Sequence, residues 1–164
     1  IRVQLPNARF VIVGDGVLRA RIEAQSVQLG IRDAVIFTGW QQHLEDIYSD
    51  LDVLVTSSKN EGTPVPLIEA LAAGCPVVAT RVGGIPDLLD GGKWGEMVPS
   101  DNAIALSEAV VRVIKNPPDT AEAQQAMLNR YDIQRLAQDL DSLYRGLRTR
   151  RKHQTQSMRV VTDD

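Results

Sequence analysis

Residues 52–80 read DVLVTSSKNEGTPVPLIEALAAGCPVVAT, and the order of residue types in this stretch decides the fold. An aliphatic run, DVLVT at 52–56, is followed by a polar loop, by VPLIEALAA at 65–73, and by a second aliphatic run, PVVAT at 76–80. The aliphatic runs are too continuous for one-sided burial, which predicts strands covered on both faces, as in a parallel sheet. The stretch between them has helical apolar spacing. Prolines at 64 and 66 fit a helix start, where a missing N–H costs little, and Gly74 supplies the stop. Strand, helix and strand in this order make a βαβ unit.

Working outward, RFVIV at 9–13 and AVIFT at 34–38 are further aliphatic runs, with helical patterns over 17–29 and 43–49. The alternation predicts an α/β fold, a Rossmann-like doubly wound parallel sheet, with any ligand at the carboxyl ends of the strands. Past Thr80 the segments shorten. Gly83-Gly84 is a turn, 86–89 a helical turn, DGGKWG at 90–95 turn chemistry and 96–98 a brief strand. A helix is predicted over 102–114, closed by Asn116-Pro117-Pro118. Another is predicted over 131–147, with Ile133, Leu136, Leu140, Leu143 and Tyr144 on one side. No internal repeat or low-complexity linker interrupts the pattern.

The chain has 164 residues, a length suited to one domain, and 43% hydrophobic with 24% charged residues is too apolar for a disordered chain. Its longest charge-free stretch, 70–80, is broken by Gly74 and Pro76, so it offers no membrane span, and the N-terminus does not read as a signal peptide. A single cysteine, Cys75, excludes an internal disulfide and a cysteine-rich metal site and fits a cytoplasmic compartment. With aromatics at 4% and net charge −3, a general nucleic-acid surface is disfavoured. Residues 1–144 hold 12 Lys and Arg against 19 Asp and Glu, whereas residues 145–164 hold 6 against 2. The basic excess is therefore a tail, and residues 148–164 are expected to be disordered. The chain opens on Ile1, and residues 1–5 look like the end of a helix, as expected for a piece of a longer protein.

Three segments could carry chemistry. Gly14-Asp15-Gly16 lies between a strand and a helix, where backbone N–H groups can face an anion, but Arg19 stands where the dinucleotide fingerprint has its third glycine. A structural turn and a ligand loop both fit. Glu61 and Glu69, separated by seven residues, fall in the loop after the third strand and in the following helix. Ionised carboxylates accept hydrogen bonds from hydroxyls, which suits a sugar and a ribose; a loop charge and a solvent-facing helix residue are the plainer alternative. Lys59 could clamp a phosphate or be a solvated loop lysine. Cys75 reads as a small buried residue without a base partner. His43 and His153 lack ligand-like spacing, so no metal site is expected.

The segment EGTPVPLIEALAAGCPVVAT at 61–80, with RVGGIPD at 81–87, resembles the retaining GT-B glycosyltransferases of family four. VIVGDG at 11–16, VIFTGW at 35–40 and YSDLDV at 48–53 extend the resemblance over roughly residues 6–147. It implies that residues 1–147 are the C-terminal, nucleotide-sugar donor-binding half of a GT-B fold, truncated at its N-terminus. It also implies that Glu61 contacts the donor sugar near the reacting centre and that Glu69 bonds the ribose. Amides of Gly62, Thr63 and Val65 would receive the sugar and diphosphate, the Gly14 and Gly16 loop would lie beside the donor, and Gly83-Gly84 would shape the floor. No cofactor or metal is implied beyond the donor, a substrate.

Pro64 and Asp87 depart from the more usual Gly and Glu of the family pattern. The family's Arg and Lys that clamp the diphosphate would precede Ile1, as would the acceptor-binding N-terminal domain. Arg145, Arg148, Arg150, Arg151 and Lys152 read as a solvated cationic helix end or, given lipid-linked acceptors among relatives, as a peripheral contact with anionic headgroups at the inner face of the cell membrane. Two alternatives remain: a stand-alone nucleotide-sugar-binding or regulatory module without catalysis, and an unrelated flavodoxin-like or receiver domain. The second lacks a phosphorylatable Asp, since the third strand ends in Thr56-Ser57-Ser58.

Overall fold

Branched aliphatic runs alternate with helix formers from residue 10 onward, and the chain folds accordingly. The order is β1 (Phe10–Val13), α1 (Arg19–Gln28), β2 (Val35–Gly39), α2 (Glu45–Asp50), β3 (Leu54–Thr56) and α3 (Val65–Ala72). Then come β4 (Val77–Thr80), α4 (Ile85–Leu88), β5 (Glu96–Val98), α5 (Ala103–Lys115), α6 (Ala121–Arg130) and α7 (Ile133–Val160). This computed structural model describes residues 1–160, and side chains through residue 148.

Every strand pairing is parallel, as the continuous aliphatic runs predict. The ladders form two sheets, β1-β2 and β3-β4-β5. In the second, Leu54, Val55 and Thr56 lie beside Val77, Val78 and Ala79, and Val78, Ala79 and Thr80 beside Glu96, Met97 and Val98. All four residues of β4 are buried, which is why VVAT carries no alternation. Val78 and Val98 meet Ala109, Val110 and Val113 of α5 in a common core, with Ile1 and Val53 packed against it. Asn102 caps α5, its side chain accepting from the Ala105 N–H at 2.9 Å.

α3 ends in a Schellman motif. Gly74 adopts φ +81°, the Cys75 N–H donates to the Ala70 carbonyl at 2.8 Å and the Gly74 N–H to the Leu71 carbonyl at 3.0 Å. The chain thereby reverses into β4 within one residue of the predicted stop.

The chain divides into two compact units, Ile1–Gln124 and Gln125–Asp164. The sequence reading missed α6. Its signal was Asp119, which follows the Pro117-Pro118 stop and accepts from the Ala121 N–H at 2.9 Å. Thr120 and Gln124 tie the start of α6 to the carbonyls of Gly74 and Ala72 at 2.9 and 3.0 Å.

In the second unit α7 continues as helix through residues 148–160, where a disordered tail was expected. Good helix formers without Gly or Pro after Gly146 favour continuation, and the i,i+4 pairs of Arg135 with Asp139 and Arg145 with Asp141 support the earlier turns. Residues 161–164 lie outside the described residues. The stripe Ile133, Leu136, Leu140, Leu143 and Tyr144 is exposed rather than core.

Truncating Leu71, fully buried on α3, should cost about 2–5 kcal/mol in urea unfolding, whereas Ile36→Ala, at a half-exposed position of β2, should stay within about 1 kcal/mol.

Candidate functional site

The loop after β3 is held from β4. Thr80, 3% exposed at the end of β4, donates its hydroxyl to the Ser58 carbonyl at 2.6 Å, and the Ser58 hydroxyl donates to Glu61 Oε2 at 3.0 Å. The half-buried Glu61 carboxylate therefore has one oxygen oriented from the sheet. Neither Ser58 nor Thr80 stood out in sequence, because a hydroxyl residue in a loop or strand end has no pattern of its own.

The backbone of the same loop rests on the Gly83-Gly84 turn. The Gly84 N–H donates to the Glu61 carbonyl at 3.2 Å. A Cβ at Gly83 would stand 1.7 Å from the Glu61 carbonyl oxygen, and one at Gly84 2.4 Å from that of Gly62, with Gly83 at φ +52°. No side chain fits either position, so the paired glycines are a requirement of this close approach. The glycine pair thus lies directly against the Glu61 and Gly62 backbone.

Glu69 lies in the second turn of α3. Leu67, Ala70 and Leu71 face inward and are fully buried, which leaves Glu69 exposed on the opposite side, toward α2. There the Tyr48 hydroxyl donates to Glu69 Oε2 at 2.9 Å. Tyr48 is 7% exposed, and burial, reinforced by the Glu69 carboxylate, pushes its phenol well above the usual tyrosine range. Glu69 thus has one oxygen fixed and the other open to a hydroxyl donor. Tyr48 is a positioning residue that the sequence marked only by lying in a matched segment.

At the start of α3 the Val65 N–H donates to the Thr63 carbonyl at 2.9 Å and that of Leu67 to Pro64 at 3.0 Å. The amides of Gly62 and Thr63 make no hydrogen bond among the described residues. Of the three amides expected to receive an anion, Gly62 and Thr63 are available in this geometry and Val65 is turned inward, because Pro64 draws its neighbours into a tight turn.

Gly14 and Gly16 flank a self-contained turn. The Gly14 N–H donates to the Gly39 carbonyl at 2.8 Å, and the Gly16 N–H donates to the Asp15 carboxylate at 2.9 Å. Arg19 pairs with Asp15 at 3.5 Å and Glu23 at 3.0 Å and lies over the Phe37 ring.

Lys59 pairs with Asp101 at 2.7 Å, both exposed, which makes it a loop lysine rather than a clamp. The buried Cys75 thiol is pushed up by desolvation and lies 3.6 Å from the Leu51 carbonyl, a packed rather than a nucleophilic residue. Among the described residues no cluster of His, Cys, Asp or Glu could hold a metal ion, and no helix is long and apolar enough to cross a membrane. The side chains of Arg150, Arg151, Lys152 and His153 lie outside the described residues.

Parallel strands separated by helices define a doubly wound α/β fold, with two carboxylates and two open amides in the loop and helix after β3. Residues 1–116 match the family model "Glycosyl transferases group 1", and the chain belongs to that family. A Vi polysaccharide biosynthesis protein (VipC/TviE) of Salmonella typhi is 35% identical over 104 residues, covering 63% of this chain and 18% of that protein. Sucrose-phosphate synthase from Thermosynechococcus elongatus superposes with a TM-score of 0.77 at 28% identity, over 85% of this chain and 38% of that one. HepE from Anabaena, solved with UDP-glucose, shares the fold with a TM-score of 0.73 at 23% identity, over 85% of this chain and 43% of that one. The chain thus spans less than half the length of each of these relatives.

Two outcomes test the geometry. Gly83→Ala should destabilise the protein by about 2 kcal/mol or more in urea, well beyond Gly91→Ala, where φ is also positive but nothing lies within 4 Å of an added Cβ. For Tyr48 the folded chain keeps a proton that the unfolded chain loses from about pH 10 upward, so its contribution to stability is complete below that pH and declines above it. Tyr48→Phe should flatten the alkaline limb of a thermal-stability profile relative to wild type.

Proposed function

We propose that this chain is the donor-binding half of a retaining, metal-independent GT-B glycosyltransferase, which moves a sugar from a nucleotide-sugar to a hydroxyl acceptor. The observation that carries the reading is the pair Glu61 and Glu69, each with one carboxylate oxygen held by a hydroxyl, that of Ser58 in the same loop for Glu61 and that of Tyr48 on α2 for Glu69, which leaves the other oxygen for a ligand. Glu69 Oε1 would accept from a ribose hydroxyl. Glu61 would accept from the donor sugar and stabilise positive charge developing at its anomeric carbon.

The open amides of Gly62 and Thr63, at the positive end of α3, suit the departing diphosphate. Their charge stabilisation needs no metal, and the family resemblance adds an Arg and Lys clamp upstream of Ile1. The self-contained Gly14 to Gly16 turn would border the donor without giving it amides, and Val65 would contribute its position rather than its N–H. An acceptor-binding domain of the same polypeptide would close the crevice. The basic run at 145–152 suits a peripheral contact with anionic lipid on the cytoplasmic side, where a lipid-linked or polysaccharide-precursor acceptor would be met.

The HepE complex with UDP-glucose supports a nucleotide-sugar as the donor class. Titration calorimetry of the chain with UDP, GDP and ADP sugars tests the reading. Glu69→Gln should weaken binding of the preferred donor by about tenfold, through loss of a hydrogen bond to a charged group of roughly 1.5–3 kcal/mol in part offset by the amide. Glu69→Gln should also weaken the matching nucleoside diphosphate, whereas Glu61→Gln should weaken only the sugar-bearing form. Equal binding by wild type and both variants would contradict the assignment.

A further inference from the structure

A cavity of about 410 Å³ lies at the amino ends of β4 and β5, the end of that sheet away from Glu61 and the glycine turn. Val77 opens β4 and Glu96 opens β5, and both line it, together with Trp94 and Gly95 of the turn into β5 and with Val113 and Asn116 at the end of α5. The Gly83-Gly84 turn follows the carboxyl end of β4. The whole strand, roughly 13 Å at about 3.3 Å per residue, therefore separates the cavity from the candidate site.

The Trp94 backbone N–H donates to the carbonyl of the buried Leu89 at 3.2 Å, and Gly95 lies so close to β4 that a Cβ there would stand 2.4 Å from Val77 Cγ2. The Trp94 backbone is thereby fixed at the cavity, yet its indole N–H is buried without a hydrogen-bond partner. The end of α5 has the opposite deficit. Its last turn closes with the Asn116 N–H donating to the Arg112 carbonyl at 2.9 Å. The carbonyls of Val113 and Ile114 would next receive the N–H groups of residues 117 and 118, but both are prolines, which have none. Neither carbonyl accepts a hydrogen bond among the described residues. The cavity thus holds an unused donor at Trp94 and an unused acceptor at Val113.

These two deficits select the occupant. The charged groups around the cavity are already matched: Arg112 Nε donates to Glu96 at 2.9 Å, Lys93 pairs with Glu122, and Asp119 accepts from the Ala121 N–H at 2.9 Å. An anion therefore finds no free cation and meets the negative end of the α5 dipole. A cation has no lone pair to offer the indole N–H. An apolar molecule leaves donor and acceptor both unbonded, which costs the lost hydrogen bond of each. A hydroxyl accepts from an N–H and donates to a carbonyl at once, and Val77, Val113 and Pro118 offer apolar surface to the C–H faces of a ring. We propose that this cavity is a second saccharide site, in which a neutral sugar unit bonds the Trp94 indole N–H and the Val113 carbonyl. Its volume falls in the range of about 300–1,000 Å³ usual for small-molecule sites. None of its residues belongs to the donor-binding proposal, and a ligand here stands apart from Glu61 and Glu69.

The probes are the methyl α-glycosides of glucose, galactose, mannose and N-acetylglucosamine, titrated to millimolar concentration into the isotope-labelled 164-residue chain and followed by nuclear magnetic resonance. At least one glycoside should move the Trp94 indole N–H and the Asn116 side-chain amide with the same dissociation constant. Trp40→Phe, at the second tryptophan, assigns the indole resonance. Trp94→Phe keeps an aromatic ring and removes the donor; it should weaken binding about three- to tenfold, read at Asn116. Pro117→Ala gives the Val113 carbonyl an N–H and should weaken binding by a similar factor, read at the indole. Both variants should keep the far-ultraviolet dichroism of the parent chain.

Gluconate, inorganic phosphate and toluene should leave the indole resonance unmoved. Equal movement with either anion would assign the cavity to a charged ligand, and with toluene to an apolar one, and each of these results would overturn the proposal. So would a Trp94 resonance unmoved by every glycoside, movement confined to Gly62, Thr63 and Glu61, or unchanged affinity in either variant. Nucleotide-sugar binding is read at Glu61 and Glu69 and saccharide binding at Trp94 and Asn116, so this site stands or falls separately from the proposed function.

Discussion

The backbone of Glu61 and Gly62 lies directly on the Gly83-Gly84 turn, closer than any Cβ would allow, and the arrangement of the candidate site depends on that contact. β4 supplies the platform: it is buried along its whole length and delivers the chain to the glycine turn while its last residue, Thr80, bonds the loop on the neighbouring strand. Main-chain contact and side-chain relay thus converge on Glu61 from the same strand. Two glycines and a threonine do this because the first two must be small and the third must be buried and still donate.

Glu69 is positioned by a different mechanism. The inward residues of α3 fix the helix's rotation, the Schellman turn fixes its end, and the Tyr48 hydroxyl on α2 fixes one carboxylate oxygen. The two carboxylates are therefore set by separate anchors, one through the sheet and one through helix packing. Damage at either anchor should displace one carboxylate without the other.

Much of this was legible in the sequence because the features rest on local chemistry. Aliphatic runs at β1 to β4, Gly74 at the helix stop and the paired glycines each announce themselves by residue type. What escaped has a physical cause. The buried relay from Thr80 through Ser58 joins residues 22 positions apart, and no local pattern marks it. The cap at Asp119 was masked by the prolines before it, so α6 went unread, and the apolar stripe of α7 satisfied helical periodicity without being buried. The inward turn of the Val65 amide follows from Pro64, a departure visible in sequence whose direction only coordinates reveal. The continuous strand runs announced the doubly wound parallel fold, and the ladders fall into two sheets, β1-β2 and β3-β4-β5.

The chain belongs to the group 1 glycosyltransferases, and the loop and helix after β3 carry the carboxylates of Glu61 and Glu69. The most direct measurement is an amide chemical-shift titration of the wild-type chain with the nucleoside diphosphate and then the intact nucleotide-sugar. The account predicts shifts at Gly62, Thr63 and Glu69 with the diphosphate, and a further shift at Glu61 only when the sugar is present. Shifts confined to other segments, or none at millimolar ligand, would contradict it.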